Sequence, residues 1–324
     1  MFPVTEWVWA DGEVVPWRDA TLHVMSHVVH YGSSVFEGIR AYASGQGPMY
    51  FRYPEHMRRL RESASIYRMQ YAWTDDELRA ATSDLIALNG LDNAYIRPVV
   101  LRGLGAAGVD PEASPVQVFI AVWSWGAYLG PEALEKGVDA GVASWFRPAP
   151  NTHPNMAKAG GNYLNGQLMK MEAKRHGYEE AIALSVDGLV SEGSGQNIFL
   201  VKDGTLHTPL VDASFLHGIT RDSILALAED LGIPVKQAPI PREQLYIADE
   251  IFFCGTASEI TPVRSVDHWK IGAGMCGPVT ARLQQRFLAI VSGEYPDRHG
   301  WLSRAEPSVG GVARPAEARA GVSV

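Results

Sequence analysis

Cysteine is scarce: the 324 residues contain two, Cys254 and Cys276. They show neither C-x-x-C spacing nor a Cys/His cluster at metal-ligand intervals. That excludes a disulfide framework and a zinc module, and predicts reduced thiols in a cytoplasmic chain that binds no metal. Long apolar runs are also missing. No uninterrupted stretch approaches the roughly 18 residues a membrane helix needs, and Met1–Glu6 has neither a basic n-region nor an apolar h-region, so membrane insertion and export are not expected. The third shortage is positive charge: 28 Lys and Arg stand against 36 Asp and Glu, a formal net charge of −8. The basic residues form no block and do not interleave with aromatics, which argues against nucleic acid as a partner. No internal repeat is present. Chemistry on small molecules is the class that survives.

What is present is material for a large core, with 46% hydrophobic residues, in a length that predicts two modest domains rather than one. Asp11-Gly12 between Trp7–Ala10 and Glu13–Trp17 reads as a hairpin turn. Strands are expected over 35–42, 49–52, 94–101 and 116–122, with helices over 54–67 and 75–88 between them. Strands in series with inserted helices predict an α+β fold, not a regular β-α-β alternation. The Gly/Ala/Pro-rich 103–115 reads as an exposed loop and 124–130 as a link. Further on, the patterns predict a helix over 162–176 closed by Gly177 and a strand pair over 180–185 and 189–192. They also predict a strand over 197–202, a helix over 220–231 with Thr220 as its N-cap, and a strand over 250–254. The expected division is a small N-terminal domain over 1–123, a link over 124–133 and a larger C-terminal domain over 134–303. Residues 304–324, without periodicity, are expected to be a disordered tail.

The run Asn155–Tyr163 sets Lys158 among alanines and glycines. An amine attacks a carbonyl only when unprotonated, and small neighbours let an aldehyde cofactor reach it. Three further features would complete a pyridoxal phosphate site. Glu192, at a strand end, would pair with the pyridine nitrogen, because a protonated ring is the electron sink of this cofactor. Gly218–Asp222 opens a helix and Gly255–Ala257 follows a strand; both offer amides to a phosphate, with Arg59 as the cation. Tyr163 offers a phenol to the ring's 3-oxygen. Each has an ordinary alternative: a solvated lysine, a turn glutamate, a helix cap, a solvated arginine beside Arg58 and Arg61, a core tyrosine. Taken one at a time, the residues leave both readings open.

Taken in order, they resemble the class IV (fold type IV) pyridoxal phosphate aminotransferases, and within them the bacterial branched-chain amino-acid group. The resemblance rests on His30–Tyr42 (HYGSSVFEGIRAY), Ala157–Tyr163 (AKAGGNY), Ser191–Phe199 (SEGSGQNIF), Gly218–Arg221 (GITR) and Thr256–Val263 (TASEITPV), and it runs from Trp7 to Leu302. It implies the two-domain fold of the D-amino-acid-aminotransferase type, with the cofactor on the C-terminal domain. By resemblance Lys158 holds pyridoxal 5'-phosphate covalently, Glu192 meets the ring nitrogen, Tyr163 the 3-oxygen, and Leu216 packs on the ring. Arg59, Ile219, Thr220 and Thr256 hold the phosphate.

Phe36, Tyr31, Tyr95, Arg97, Trp125 and Tyr128, with the amides of Thr256 and Ala257, are implied to form the substrate site. The implied activity is reversible, ping-pong amino transfer from L-leucine, L-isoleucine or L-valine to 2-oxoglutarate, in branched-chain amino-acid biosynthesis. Other fold type IV enzymes (D-amino-acid and (R)-amine transaminases, aminodeoxychorismate lyases) carry a motif closer to Gly-Asp-Gly before an aromatic residue and Glu, where this chain has Tyr31–Gly38. A non-catalytic homologue is the remaining alternative, and the full set of catalytic side chains speaks against it. The resemblance further implies a homo-oligomer, a dimer at least or a trimer of dimers, in which loop 103–111 reaches a neighbouring subunit's site. Ala107 stands there where relatives carry a bulkier Met, which predicts a wider pocket in which valine loses more than leucine.

Overall fold

The computed structural model describes residues 3–126, 131–210 and 214–308. The chain opens on the antiparallel hairpin β1 (Trp7–Ala10) and β2 (Glu13–Pro16). Its turn residues Asp11 and Gly12 both have positive φ, 44° and 101°, as a two-residue turn matched to strand twist requires. Next come the short helix α1 (His27–Tyr31), β3 (Ser34–Phe36), β4 (Ile39–Tyr42) and β5 (Met49–Phe51). They are followed by the helices α2 (Tyr53–Ile66) and α3 (Asp75–Leu88), then by β6 (Ala94–Arg102) and β7 (Val116–Trp123). Helix α3 begins where the sequence signals it, with a capping box between Thr74 and Glu77. The order across this sheet is β5-β4-β6-β7-β1-β2, with β3 pairing β6.

The second part comprises α4 (Pro131–Lys136), β8 (Val138–Phe146), α5 (Tyr163–Arg175), β9 (Glu180–Leu184), β10 (Val190–Gly193), β11 (Asn197–Lys202) and β12 (Thr205–Thr208). Then follow α6 (Ile219–Asp230), β13 (Val235–Gln237), β14 (Glu250–Gly255), β15 (Glu259–Val266), β16 (Trp269–Lys270) and α7 (Pro278–Val291). Its sheet runs β10-β9-β8-β15-β14-β11-β12-β13, with β16 beside β15. The pairs β8/β9, β15/β8 and β12/β13 are parallel. The chain then returns to the first sheet, where β17 (Leu302–Arg304) pairs with β5.

Two alternations organise the packing. In β11 and β14, Phe199, Val201, Phe252 and Cys254 point to one face and pack against Leu227 of α6 and Phe287 of α7. Ile198, Leu200, Ile251 and Phe253 point to the other, against Val263 and Leu245, as the two-residue period of a strand dictates. Phe51 and Trp301, from the first sheet's side, lie in the former cluster and tie the two parts together. The first sheet packs on α2 and α3 through Met57, Leu60, Leu78 and Leu85.

Four expectations change. The single strand over 35–42 is two strands, because the chain breaks at Glu37-Gly38 to bury the Glu37 side chain. The N-cap of α6 is Gly218, not Thr220, which sits in the first turn; a side chain at 218 would collide with Asn197. The expected tail is ordered at its start: Arg304 pairs with Met49, Ala305 is buried and bonds to the Pro48 carbonyl, and Ser308 bonds to Asp84. Residues 309–324 lie outside the described residues. Finally, β8, β12, β13, β15, β16, α4 and α7 add elements to stretches left unassigned by the sequence patterns.

Candidate active site

A cavity of about 330 Å³ opens between the two sheets. Lys158 reaches into it from the loop before α5. Both sides of its backbone are pinned: its amide donates to Ser63 Oγ on α2 at 3.0 Å, and its carbonyl accepts the Phe36 amide at 2.9 Å. The flanking Ala157 and Ala159 are buried in the first sheet's core, and a Cβ at Gly160 would strike Ser34. The small residues around Lys158 therefore serve close packing against β3 as well as access. Because its backbone is fixed, the side chain's aim is fixed. Nζ lies 2.7 Å from the Tyr163 hydroxyl, and the Tyr163 and Phe36 rings stand 5.0 Å apart.

Glu192 lines the cavity from β10. Its Oε1 forms a 2.6 Å ion pair with Arg147, just past the end of β8, and Asn197 Nδ2 stands 3.5 Å from Oε2. Burial drives the Glu192 carboxyl above the ordinary carboxylate range, against the pull of Arg147. Across the cavity, Arg59 on α2 grips Glu37 with two nitrogens, at 2.5 and 2.9 Å, and gives a third bond of 2.8 Å to the His217 carbonyl. Arginine carries five N–H donors in a planar fork, so two have no partner among the described residues. His56 adds a 2.7 Å contact to Glu37. Burial pushes Glu37 upward, yet the Arg59 and His56 charges outweigh it and hold the carboxyl far below its usual value.

Between Arg59 and the first turn of α6, Ile219 and Thr220 line the cavity, together with Leu216, Gly218 and the turn Gly255–Ser258 after β14. A helix N-terminus, a turn and a half-committed guanidinium form an anion site. The opposite wall is aromatic: Phe36, Tyr95 and Trp125 line it, with the Tyr95 and Trp125 rings edge-on at 4.4 Å. Arg97 lies 4.7 Å above the Phe36 ring, and its buried Nε has no partner among the described residues. The same is true of Arg147 Nε, Asn155 Oδ1, Gln196 Oε1 and Ser258 Oγ. Polar atoms orphaned in this way around one cavity mark a place built for a polar ligand.

The structure thus brings together Lys158, Tyr163, Glu192, Arg59, Leu216, Ile219, Thr220, Thr256, Phe36, Tyr95, Arg97, Trp125 and Ala257. Tyr31 stands apart: it is 45% exposed and its hydroxyl reaches the Ala107 carbonyl at 3.4 Å. Tyr128 lies outside the described residues. Cys254 also lines the cavity, and burial pushes its thiol upward, which disfavours the reactive thiolate. Sequence reasoning missed Arg147, Glu37 and His56. Glu37 lay inside a quoted motif and was legible only as part of a strand; Arg147 carries no local signal, since its partner is 45 residues further along the chain. Among the described residues there is no cluster suited to a metal, and no helix long and apolar enough to cross a membrane.

The model of the class IV amino-transferases matches residues 34–266. The chain belongs to the class IV aminotransferases. A branched-chain-amino-acid aminotransferase of Escherichia coli (strain K12) is 55% identical over 300 residues, 92% of this chain and 97% of that one. A crystal structure of the Escherichia coli enzyme superposes with a TM-score of 0.92 at 54% identity, covering 94% of this chain and all (100%) of that one. The branched-chain amino acid aminotransferase of Thermobaculum terrenum, crystallised in its PLP form, gives 0.86 at 32%, covering 93% and 99%. Like these structures, this class IV aminotransferase has mixed helices and sheets; its Lys158 lines the cavity between its two sheets.

Proposed function

We propose that this aminotransferase moves the amino group of L-leucine, L-isoleucine or L-valine to 2-oxoglutarate, forming L-glutamate and the branched 2-oxo acid, with pyridoxal 5'-phosphate as cofactor. The observation that carries the reading is the Lys158–Tyr163 contact of 2.7 Å, set between a buried carboxylate and an anion site in a cavity with an apolar wall. The residues fit the cofactor at each of its ends. The two open N–H groups of Arg59, the first turn of α6 and Thr256 suit a phosphate, Leu216 suits a ring face, and Glu192 suits a ring nitrogen. Bound there, pyridoxal phosphate supplies an aldehyde for the amine nitrogen and a ring that spreads the charge left at the substrate's α-carbon.

The chain's own groups do the rest. Lys158 holds the cofactor at rest, and as a free amine its Nζ carries the proton away from the α-carbon. The Tyr163 hydroxyl orients Nζ. Arg147 keeps a positive charge on one oxygen of Glu192, which favours the carboxylate that a protonated ring nitrogen requires. Phe36, Tyr95 and Trp125 exclude water and receive the branched chain. Arg97, held over Phe36 with Nε open, offers a fork for the second carboxylate of glutamate.

We further propose the division into two domains at the link 124–133, a cytoplasmic biosynthetic setting, and assembly as a dimer or a trimer of dimers. Supporting assembly, the loop beside Tyr31 leaves Leu104 54% and Val109 81% exposed, apolar tips that a second copy would cover. If this loop shapes the neighbouring site, Ala107→Met narrows it, and the leucine-to-valine ratio of kcat/KM falls by about tenfold; an unchanged ranking sinks that role. A panel of amino donors against 2-oxoglutarate tests the main reading. Ping-pong kinetics with L-leucine and no turnover of D-alanine are expected, and the reverse preference overturns it.

A further inference from the structure

The anion site draws on both halves of the fold: Arg59 comes from α2, and Ile219 and Thr220 come from the start of α6. Hydrogen bonds weaken steeply outside a narrow range of distance and angle, so one phosphate can use both helices only if the gap between them is held. Inside the cavity Arg59 bridges that gap through the His217 carbonyl. A second arginine bridges it from outside. Arg52 is the N-cap of α2, about two turns before Arg59, and does not line the cavity. Its Nη1 lies 2.6 Å from Asp222 Oδ2, 3.0 Å from Ser223 Oγ and 3.3 Å from the Ile219 carbonyl, all at the start of α6. Its Nε donates to Glu55, on α2, at 2.9 Å.

What seats Arg52 is the segment that follows α7. The Arg52 amide donates to the Trp301 carbonyl at 2.7 Å, and the guanidinium lies 5.7 Å from the centre of the Trp301 ring. The Arg52 backbone is left-handed, with φ 53° and ψ 40°, a conformation disfavoured for a residue with a side chain and kept only where the surroundings impose it. Trp301 is buried in one cluster with Phe51 and Phe287, and the chain then runs into β17 beside β5. Two residues before Trp301, His299 stacks on its ring at 4.3 Å and meets Asp230, the last residue of α6, at 2.8 Å. Segment 299–304 therefore touches the end of α6 directly and its start through Arg52.

We propose that Arg52 is a positioning residue for the cofactor phosphate: seated on Trp301, its guanidinium holds the start of α6 against α2, so that phosphate affinity depends on a segment that does not line the cavity. The inference rests on the functional reading above, in which Arg59, Ile219 and Thr220 hold the phosphate. Arg52 touches no part of that ligand, and its effect passes through the backbone of α6. A lysine in its place keeps a charge near Asp222 but lacks the planar fork that holds Glu55 and α6 together.

The test strips purified holoenzyme of its cofactor and titrates it with pyridoxal 5'-phosphate and with pyridoxal, which has no phosphate, following the visible absorbance of the bound form. Arg52→Met is expected to raise the Kd for pyridoxal 5'-phosphate about tenfold and to leave that for pyridoxal within about twofold of wild type, as the loss of charge-assisted bonds that serve the phosphate alone implies. Arg52→Lys should fall between wild type and Arg52→Met. Asp222→Asn changes a side chain that is 67% exposed, and Trp301→Phe keeps an apolar ring; each should raise the Kd for the phosphorylated ligand alone by about threefold. Equal losses for the two ligands, or an unchanged Kd in Arg52→Met, overturn the proposal. So does a response at Arg52 and Asp222 without one in Trp301→Phe, because segment 299–304 then contributes nothing. Where Arg52→Met fails to fold, unchanged affinity in Asp222→Asn overturns it by itself. Wild type that binds both ligands equally overturns the phosphate reading, and the proposal with it.

Discussion

Two buried Arg–Glu pairs face each other across the cavity, Arg59–Glu37 on the side of the first sheet and Arg147–Glu192 on that of the second. Burial raises both carboxyls; in one the raise is overcome and in the other it is not. Glu37 receives both ends of the Arg59 fork, His56 at 2.7 Å and the Gly38 amide at 3.2 Å. Glu192 has one ion pair among the described residues, to Arg147, with the Leu216 backbone amide as a further donor. The difference separates finished electrostatics from unfinished. Glu37 is satisfied by the protein and stays out of the cavity, so its role is to hold Arg59 in place. Glu192 lines the cavity and is left needing positive charge, which a protonated ring nitrogen would supply.

Lys158 lies between the pairs, close enough for its charge to act on both His56 and Glu192. Replacing it with Ala removes the one group that serves both sides. Lys158→Ala is expected to lose turnover completely, together with the visible absorbance of covalently held cofactor. Retention of either signal would overturn the assignment of Lys158.

Glu37→Gln should have the next largest effect, on stability. It leaves the Arg59 charge buried without its partner, at a cost of about 3–5 kcal/mol by chemical denaturation. The pH dependence has a definite sign. A carboxyl depressed in the folded state contributes stability above its ordinary value of 4.5, and that contribution is lost as pH falls toward its folded value. Wild type should therefore lose stability steeply below about pH 4.5, and the variant less steeply. Equal slopes would show that the Glu37 pair is not the acid-labile element.

How much of this was legible beforehand follows from how far apart the partners lie. The hairpin at Asp11-Gly12, the Thr74 capping box and the motifs around Lys158 and Glu192 are local signals, and sequence spacing suffices for them. Helix α7 carried a readable pattern too: Gly277-Pro278 at its start and Leu283, Phe287 and Ile290 on one face. Its N-terminus is closed by the Glu250 carboxylate on the Val279 and Thr280 amides, and that cap has no local sign. The same holds for Arg147 and Arg52, whose partners come from distant segments. What makes a residue part of the site here is often a contact formed only after the sheets have assembled.

Glu192→Gln tests the unfinished pair. An amide no longer offers the ring nitrogen a negative partner, and kcat should fall by about 10²-fold. Stability should suffer less than in Glu37→Gln, because burial disfavours the Glu192 charge in the folded state. Its raised carboxyl contributes stability only below the ordinary value of 4.5, and this is lost as pH rises through the folded value. A stability loss matching that of Glu37→Gln, with kcat unchanged, would make the two pairs equivalent and remove the comparison.

The smallest effect is expected at Arg147. Arg147→Met strips Glu192 of its ion pair, leaving only the Leu216 amide and the Lys158 charge to oppose burial, so the carboxyl rises further. Glu192 then takes up its proton at higher pH, and the acid limb of the pH–rate profile moves upward. At neutral pH the loss should be about tenfold, the weight of one charge-assisted bond. Arg147→Lys keeps a charge near Oε1 but not the bond from Nη1 to Asn165, so its profile should lie between those of wild type and Arg147→Met. The order matters more than the size: if Arg147→Met lowers activity equally at every pH, Arg147 acts by packing, and the charge on Glu192 is governed by something other than its ion pair.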